Sequence, residues 1–260
     1  MIAVETSLSY STRLLRKGAL VEETYRAFAC WELTESMPSN LERIRKGNLV
    51  GAKNQSWLRE VTMTLSSRFA QGDSIAPLVS LAKAQFPFER WKYCLLWHFG
   101  STDGLFRRFM EEFLFCQHEE GIAAFDTAAV LPFVERIDRE NLLGAPLTAY
   151  GRTRLARDFL RMAAAFGIVT GQQIRRFAQV TIPDDAFLYA LYSLQGEFPS
   201  VSRALQSTRW RLFLVSPGAV ERELLNLHQF RRLRYEHAGS IRELTLPHDS
   251  LLEFTRSLTS

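Results

Sequence analysis

Two stretches of the sequence concentrate arginine together with small polar side chains, a combination suited to the noncovalent binding of polyanions. Residues 150–182 contain six arginines and a single acid, Asp158. Residues 40–70 contain six cationic residues and two acids, Glu42 and Glu60. A guanidinium can donate two parallel hydrogen bonds to phosphate oxygens or to the guanine edge, and an Asn or Gln amide can form two hydrogen bonds with adenine. Both stretches therefore predict contacts to phosphates and to base edges.

The later stretch places its candidate contacts on one face of a predicted helix. Arg154, Arg157 and Arg161 are spaced three or four residues apart, so they form a cationic stripe. Two more arginines follow in a predicted β-hairpin. The alternative is an ordinary solvated helix face. The candidate set is Thr148, Tyr150, Arg152, Thr153, Arg154, Arg157, Arg161, Arg175 and Arg176.

The earlier stretch places a second candidate set at the start of another predicted helix. Trp57 lies in the same segment and is expected to belong to the core, so a solvated helix face is an equally good interpretation here. The candidate set is Lys53, Asn54, Gln55, Ser56 and Arg59.

The same short sequence motif precedes the predicted basic helix in both parts of the chain. Residues 42–52 and 135–145 are identical at seven of eleven positions, including Glu-Arg-Ile and Asn-Leu-x-Gly-Ala. A helix that ends at Asn-Leu-x-Gly, a turn and a second cationic helix make the plan of a helix-turn-helix. The repeat therefore predicts two such units and favours double-stranded DNA as the ligand.

The rest of the sequence has helical periodicity, which predicts an all-α fold of two helical lobes, each with a helix-turn-helix-like unit. The first lobe, 1–120, contains its unit at 41–69. The second lobe, 121–260, contains a winged-helix unit at 126–182, in which two short strands around Thr170-Gly171 form the wing, followed by terminal helices. Single helices over Leu14–Glu35 and Val220–Tyr235 and a short strand over Ile241–Leu246 are also expected.

Composition excludes several classes of protein. Of the 32 cationic residues 27 are arginine, a bias that codon usage in a GC-rich genome also explains, and the net charge is +4. Three cysteines and no signal-peptide pattern predict a cytoplasmic protein without a disulfide framework. No apolar run is long enough to span a bilayer, so no membrane association is expected.

Catalytic and metal-binding motifs were sought as well. The sequence contains no Gly-rich phosphate loop, Gly-x-Ser-x-Gly, His-Glu-x-x-His or Cys-x-x-Cys, so neither an enzyme nor a cofactor is expected. Cys94, His98, Cys116 and His118 could outline a metal site. The aromatic residues around them instead predict a buried thiol and a core histidine, and no metal is expected.

Several segments along the chain resemble one protein family. The segments are Tyr10–Glu23, Asn48–Gly51, Arg59–Val61, Tyr93–Phe109, Phe166–Val169, Trp210–Leu214 and Ala238–Glu243. Through them the chain resembles the BrxA family of bacteriophage-exclusion (BREX) systems. The resemblance implies a small, helical, cytoplasmic DNA-binding component of an anti-phage operon. Its companions would include an AAA+ ATPase, a DNA methyltransferase and an alkaline-phosphatase-like protein. The resemblance assigns no contact residues.

The sequence thus predicts a non-enzymatic protein that binds double-stranded DNA, chiefly through the second lobe. Affinity is expected to fall steeply with salt, because arginine–phosphate contacts would dominate. Two alternatives remain open. In one, the chain is a helical scaffold whose basic faces meet other defence subunits without touching DNA. In the other it binds RNA, although the stacking motifs of sheet-type RNA readers are absent from the sequence.

Overall fold

The first half of the chain is almost entirely helical. The structure, a computed structural model, describes residues 10–70, 75–195, 197–198, 200–239 and 241–259. A π-helical turn, Phe109–Leu114, joins the seventh and eighth helices into one rod. The helices are α1 (Thr12–Arg16), α2 (Val21–Ala29), α3 (Met37–Gly47), α4 (Gln55–Arg68), α5 (Ala76–Lys83), α6 (Phe88–Thr102), α7 (Gly104–Arg108) and α8 (Phe115–Glu119).

The second half adds two small antiparallel sheets to its helices. A 3₁₀ helix, Thr208–Phe213, lies between the twelfth and thirteenth α-helices. The elements are α9 (Thr127–Arg139), α10 (Ala149–Ala165), β1 (Val169–Thr170), β2 (Arg176–Phe177), α11 (Asp184–Gln195), α12 (Val201–Leu205), α13 (Pro217–Gln229), β3 (Arg234–Ala238), β4 (Ile241–Thr245) and α14 (Leu251–Ser257). The predicted all-α fold with a short β-hairpin is confirmed.

Two of the expected helices are wrong in their extent. The span Leu14–Glu35 is broken after Arg16, where Gly18 and Leu20 take positive φ values of 75° and 51°. The span Val220–Tyr235 ends at Gln229, and the backbone turns through Arg231 at φ 56° into β3. Both spans have helical periodicity, but a single left-handed residue is enough to end a helix. The strand expected at Ile241–Leu246 is β4, and its partner β3 was not predicted.

The first sheet is tied to the segment that precedes α9. In β1 and β2, Val169 pairs with Phe177 and Thr170 with Arg176. The Phe125 N–H donates to the Arg175 carbonyl at 3.0 Å, and the Arg175 N–H donates to the Phe125 carbonyl at 2.7 Å. The position of the β1–β2 hairpin relative to α9 and α10 is therefore set by backbone hydrogen bonds as well as by packing.

One continuous hydrophobic core extends through both predicted lobes. Phe109 of the π-helical turn stacks on Phe159 of α10 with ring centroids 4.7 Å apart. Phe99 of α6 meets Phe166 edge-on at 5.5 Å. Ring contacts of this kind add about 0.5–1.5 kcal/mol each to the burial of the side chains. The domain boundary near residue 120 stays a prediction.

None of the helices in the described ranges is both long enough and apolar enough to cross a membrane.

Candidate nucleic-acid interface

The repeated phrase forms the same turn in both copies. Asn48 and Asn141 occupy equivalent positions and both lie in the left-handed region, at φ 45° and 56°. The glycines three residues later, Gly51 and Gly144, have φ 68° and 73°. In each copy the turn joins two helices that pack together, α3 with α4 and α9 with α10. We call these pairs the first and second helical hairpins.

Helix α10 begins with its own cap and presents a polar face along its first three turns. The Thr148 hydroxyl accepts the Gly151 N–H at 3.0 Å and so satisfies one of the N–H groups at the helix start. Leu155 and Phe159 bury the opposite face against α9 and the π-helical turn. Tyr150 is 71% exposed at the first turn. The helix predicted from the sequence therefore forms at the expected place.

Arg154 and Arg157 project from α10 into solvent. No carboxylate of the described residues lies within ion-pair distance of either guanidinium. Arg152 differs, because its Nε lies 3.9 Å from a carboxylate oxygen of Asp138. The Thr153 hydroxyl donates to the Ala149 carbonyl within the helix at 3.1 Å. Of the predicted stripe, Arg154 and Arg157 remain available to a ligand.

Arg161, the third member of that stripe, is held by internal contacts. Its Nη2 donates to the Arg16 carbonyl at 2.7 Å, to the Leu15 carbonyl at 3.4 Å and to Asp158 Oδ1 at 2.7 Å. The side chain is still 53% exposed. The guanidinium thus joins α10 to the end of α1, a contact between residues about 145 positions apart in sequence.

The β1–β2 hairpin, which follows α10, carries the other two predicted arginines. Arg176 is exposed, whereas the Arg175 guanidinium folds back and donates to the Gly171 carbonyl. The turn leaves Gln172, Gln173 and Ile174 exposed. The two arginines of the predicted pair therefore have different roles: Arg175 closes the turn and Arg176 faces solvent.

In the first helical hairpin the predicted contacts lie at the start of α4 and are exposed. Asn54 is the N-cap of that helix, and its side-chain oxygen accepts the Trp57 N–H at 2.8 Å. Lys53, Gln55, Ser56 and Arg59 are exposed, and Trp57 is half-buried against the core.

An open groove of about 650 Å³ lies beside the start of α4. Lys53, Asn54 and Trp57 line this groove together with Glu22, Glu23 and Arg26, and Arg26 Nη2 lies 3.2 Å from a carboxylate oxygen of Glu22. These carboxylates lower the positive potential at the end of α4 that would approach DNA. The first hairpin is therefore electrostatically less suited to phosphate than the second.

Two cations counted in the first basic stretch serve the fold. Arg68 is half-buried and donates to the Gly18 and Ala19 carbonyls at 2.8 and 2.9 Å. Burial lowers the pKa of Arg68 to about 10. Arg43 pairs with Glu35 at 2.8 Å. The charge of this stretch therefore overstates the cationic surface that the first hairpin presents.

Sequence reasoning missed one exposed cation beside α10. Arg16, at the end of α1, is exposed and lies close enough to Asp158 to help stabilise its carboxylate. Burial raises the pKa of Asp158, and Arg161, Arg154 and Arg16 counteract that rise. No local pattern links Arg16 to residues more than 135 positions later, so only the fold reveals it.

Of the four possible metal ligands, Cys94 and His98 lie in the core, whereas Cys116 is half-buried and His118 is exposed. Burial raises the pKa of the Cys94 thiol far above its ordinary value, which keeps the sulfur protonated. Burial, aided by Arg68, lowers the pKa of His98 to about 4, so the imidazole is neutral at physiological pH. Among the described residues, no three His, Cys, Asp or Glu side chains come together as a metal site.

Comparison with known proteins gives one match. The BrxA family model matches residues 8–191, a range that contains both helical hairpins and the β1–β2 hairpin. No curated protein and no solved structure gives a significant match.

Proposed function

The chain belongs to the BrxA family and is a component of a BREX anti-phage system, and we propose that it binds double-stranded DNA there without acting as an enzyme. The observation that carries the proposal is the pair Arg154 and Arg157. Both guanidiniums are solvent-exposed on the first turns of α10, outside ion-pair distance of any described carboxylate. A phosphate could therefore pair with them at no cost in existing salt bridges.

The order of the surrounding elements supports this proposal. The rod Gly104–Glu119, the Phe125 bridge, α9, α10 and the β1–β2 hairpin follow one another as in winged-helix DNA-binding domains. By that analogy α10 would enter the major groove, and the hairpin with Arg176 would reach the adjacent backbone. The Thr148 cap and the N–H groups of the first turn would face phosphate, which the positive end of the helix dipole favours.

The first helical hairpin would assist this contact. Arg59 is the repeat equivalent of Arg157 when the two second helices are aligned, and both residues are exposed. Glu22 and Glu23 beside the start of α4 would restrict its contribution to outlying phosphates. Recognition would then rest mainly on the phosphate backbone, with weak sequence preference.

A scaffold role is the second candidate, and the groove beside α4 favours it. This groove combines the half-buried Trp57 with acids and Lys53, a mixture found in protein interfaces more often than in DNA-binding surfaces. Other BREX proteins, such as the ATPase, the methyltransferase or the phosphatase-like protein, would be its occupants. This role and a cytoplasmic location are compatible with DNA binding elsewhere on the chain.

A salt titration of the double variant Arg154→Ala/Arg157→Ala tests the proposal. Each lost phosphate contact should reduce the slope of log K against log salt by about 0.9, so a reduction of about 2 is expected. The matched control is Arg203→Ala/Arg222→Ala, which removes the same charge from exposed positions on α12 and α13.

Two outcomes would contradict the proposal at different levels. Equal slopes for the double variant and the wild type would remove α10 from the interface. The scaffold role would be favoured if the wild type gave no gel shift with any DNA duplex at low salt and still captured BREX proteins after nuclease treatment. Competition between duplex DNA and RNA would test the remaining alternative.

A further inference from the structure

The end of α1 is held between the two helical hairpins by two arginines. Arg161 of α10 donates to the Leu15 and Arg16 carbonyls, at 3.4 and 2.7 Å. Arg68 of α4 donates to the Gly18 and Ala19 carbonyls, at 2.8 and 2.9 Å. Leu15 and Arg16 end α1, and Gly18 and Ala19 belong to the loop that follows it. Carbonyl groups at a helix end lack partners within the helix, although the Leu15 carbonyl also accepts the Gly18 N–H at 3.0 Å. The position of α1 is thus set from both sides.

A buried carboxylate fixes the Arg161 side of this arrangement. The side chain of Asp158 is only 7% exposed, and its Oδ1 lies 2.7 Å from Arg161 Nη2. Gly18 favours this backbone course through its φ of 75°, whereas a Cβ there would only make an ordinary contact, 3.6 Å from Arg161 Nε. Moving Arg161 toward a phosphate would leave the buried carboxylate without its ion-pair partner, which is unfavourable.

The Arg16 side chain, at the end of α1, is not held by contacts within the described ranges as the Arg161 side chain is. The Arg16 carbonyl is held by Arg161, but the Arg16 side chain is exposed and near enough to Asp158 to favour the ionised carboxylate. Arg154 approaches the same carboxylate from α10. Arg16, Arg154, Arg157 and Arg161 together carry four positive charges against the single negative charge of Asp158, which leaves a local excess of three.

We propose that Arg16 is a DNA-contacting residue of this surface and that Arg161 is a positioning residue that holds α1 in place for it. The inference rests on the proposed function, since it names a further contact on the same surface. The cationic face would then be built from α1 and α10 together, with Arg16 extending the line that Arg154 and Arg157 begin. Arg161 would act on DNA only through the position of α1.

A double-mutant cycle on Arg16 and Arg161 tests this division of roles. Arg16→Ala should lower the salt slope by about 1 and leave the melting temperature unchanged, because the side chain is exposed. Arg161→Ala should lower the melting temperature and speed amide exchange at residues 15–21. In the Arg16→Ala background, Arg161→Ala should cause no further loss of DNA affinity.

Three results would overturn the inference. The first is wild-type affinity and slope for Arg16→Ala. The second is an additive loss of slope in the Arg16→Ala/Arg161→Ala double variant, which would make Arg161 a direct contact. The third is an unchanged melting temperature and exchange pattern for Arg161→Ala.

Arg154→Ala/Arg157→Ala, measured in parallel, separates this inference from the proposed function. If that variant loses affinity while Arg16→Ala does not, only the role of Arg16 fails. If neither variant changes binding, the surface itself is wrong. Should Arg161→Ala not fold, the charge reversal Arg16→Glu still decides the central claim, because it should weaken binding more than Arg16→Ala.

Discussion

Gly171 lies directly against the backbone of Ile174: a Cβ on Gly171 would come within 2.1 Å of the Ile174 carbonyl oxygen. Its φ of 90° also lies outside the range that residues with a side chain readily adopt. The β1–β2 turn can therefore close only with glycine at this position. The Arg175 guanidinium also stabilises this turn, because it donates to the Gly171 carbonyl.

We expect Gly171→Ala to open the β1–β2 hairpin and to weaken DNA binding while the helical core persists. The strain should cost about 1–3 kcal/mol locally. Amide exchange at Arg175 and Ala178, whose N–H groups bond to Phe125 and Ile168, measures the opening. Gly144→Ala is the control, because Gly144 also has a positive φ but a Cβ there would meet nothing within 4 Å. Equal exchange in the two variants would show that the Ile174 contact is unimportant.

Asp103 and His98 are expected to give pH dependences of stability with opposite signs. Burial raises the pKa of Asp103 to about 6, so between about pH 4 and 6 the folded chain binds this proton more tightly and loses stability as pH rises. Burial and Arg68 lower the pKa of His98 to about 4, so stability is lost as pH falls from about 6.5 to 4. In the wild type the two effects largely cancel.

Single variants should therefore uncover each dependence. Asp103→Asn should lose stability on acidification more steeply than the wild type, and it can keep the hydrogen bond to the Phe106 N–H. His98→Gln should instead gain stability as the pH falls from 7 toward 4.5. Urea unfolding at pH 4.5, 5.5 and 7 measures the difference, which is about 1.4 kcal/mol for each pKa unit. Parallel profiles for all three proteins would refute the assignment.

The two left-handed asparagines of the repeat should respond differently to glycine. Asn48 uses its amide to bond the Ala52 N–H at 2.8 Å and the Ala52 carbonyl at 2.9 Å. Asn48→Gly should therefore cost about 1 kcal/mol despite the relief of strain. Asn141, with φ 56°, has no such side-chain bond among the described residues, so Asn141→Gly should be neutral or stabilising by a few tenths of a kcal/mol. Melting temperatures that shift equally in both variants would be inconsistent with this difference.

Gly100 and Leu212 should couple α6 to the 3₁₀ helix. A Cβ on Gly100 would lie 2.2 and 2.4 Å from the two δ-carbons of Leu212. Gly100→Ala should therefore destabilise the fold by about 1–3 kcal/mol, and Leu212→Ala by about 2–5 kcal/mol. The double variant should be less destabilised than the sum, because each change relieves the other. Chemical denaturation of the four proteins of the cycle provides the measurement, and strict additivity would argue against the contact.

Much of the second helical hairpin could be predicted from sequence. The spacing of Arg154, Arg157 and Arg161 identified the cationic face of α10, the repeated Asn-Leu-x-Gly identified the preceding turn, and the change of period after Phe166 identified the β1–β2 hairpin. These features depend on residues within a few positions of one another. The break after Arg16 was missed because the helical periodicity continues past Gly18, and left-handed Leu20 leaves no residue-type signal of its own. The strand β3 was missed because the left-handed Arg231 before it leaves no such signal either.

The sequence by itself determined the helical class, the duplicated turn and the basic character of α10, because periodicity, turn residues and charge are local properties of the chain. The tertiary structure decided which arginines remain available to a ligand. Arg68 and Arg161 bind carbonyls of a segment that lies about 50 and 145 residues away, and Arg16 is brought to α10 by one of those contacts. Hydrogen-bond geometry between distant segments exists only after the chain has packed, so neither charge counts nor spacing could have separated the guanidiniums that hold the fold from those that face solvent.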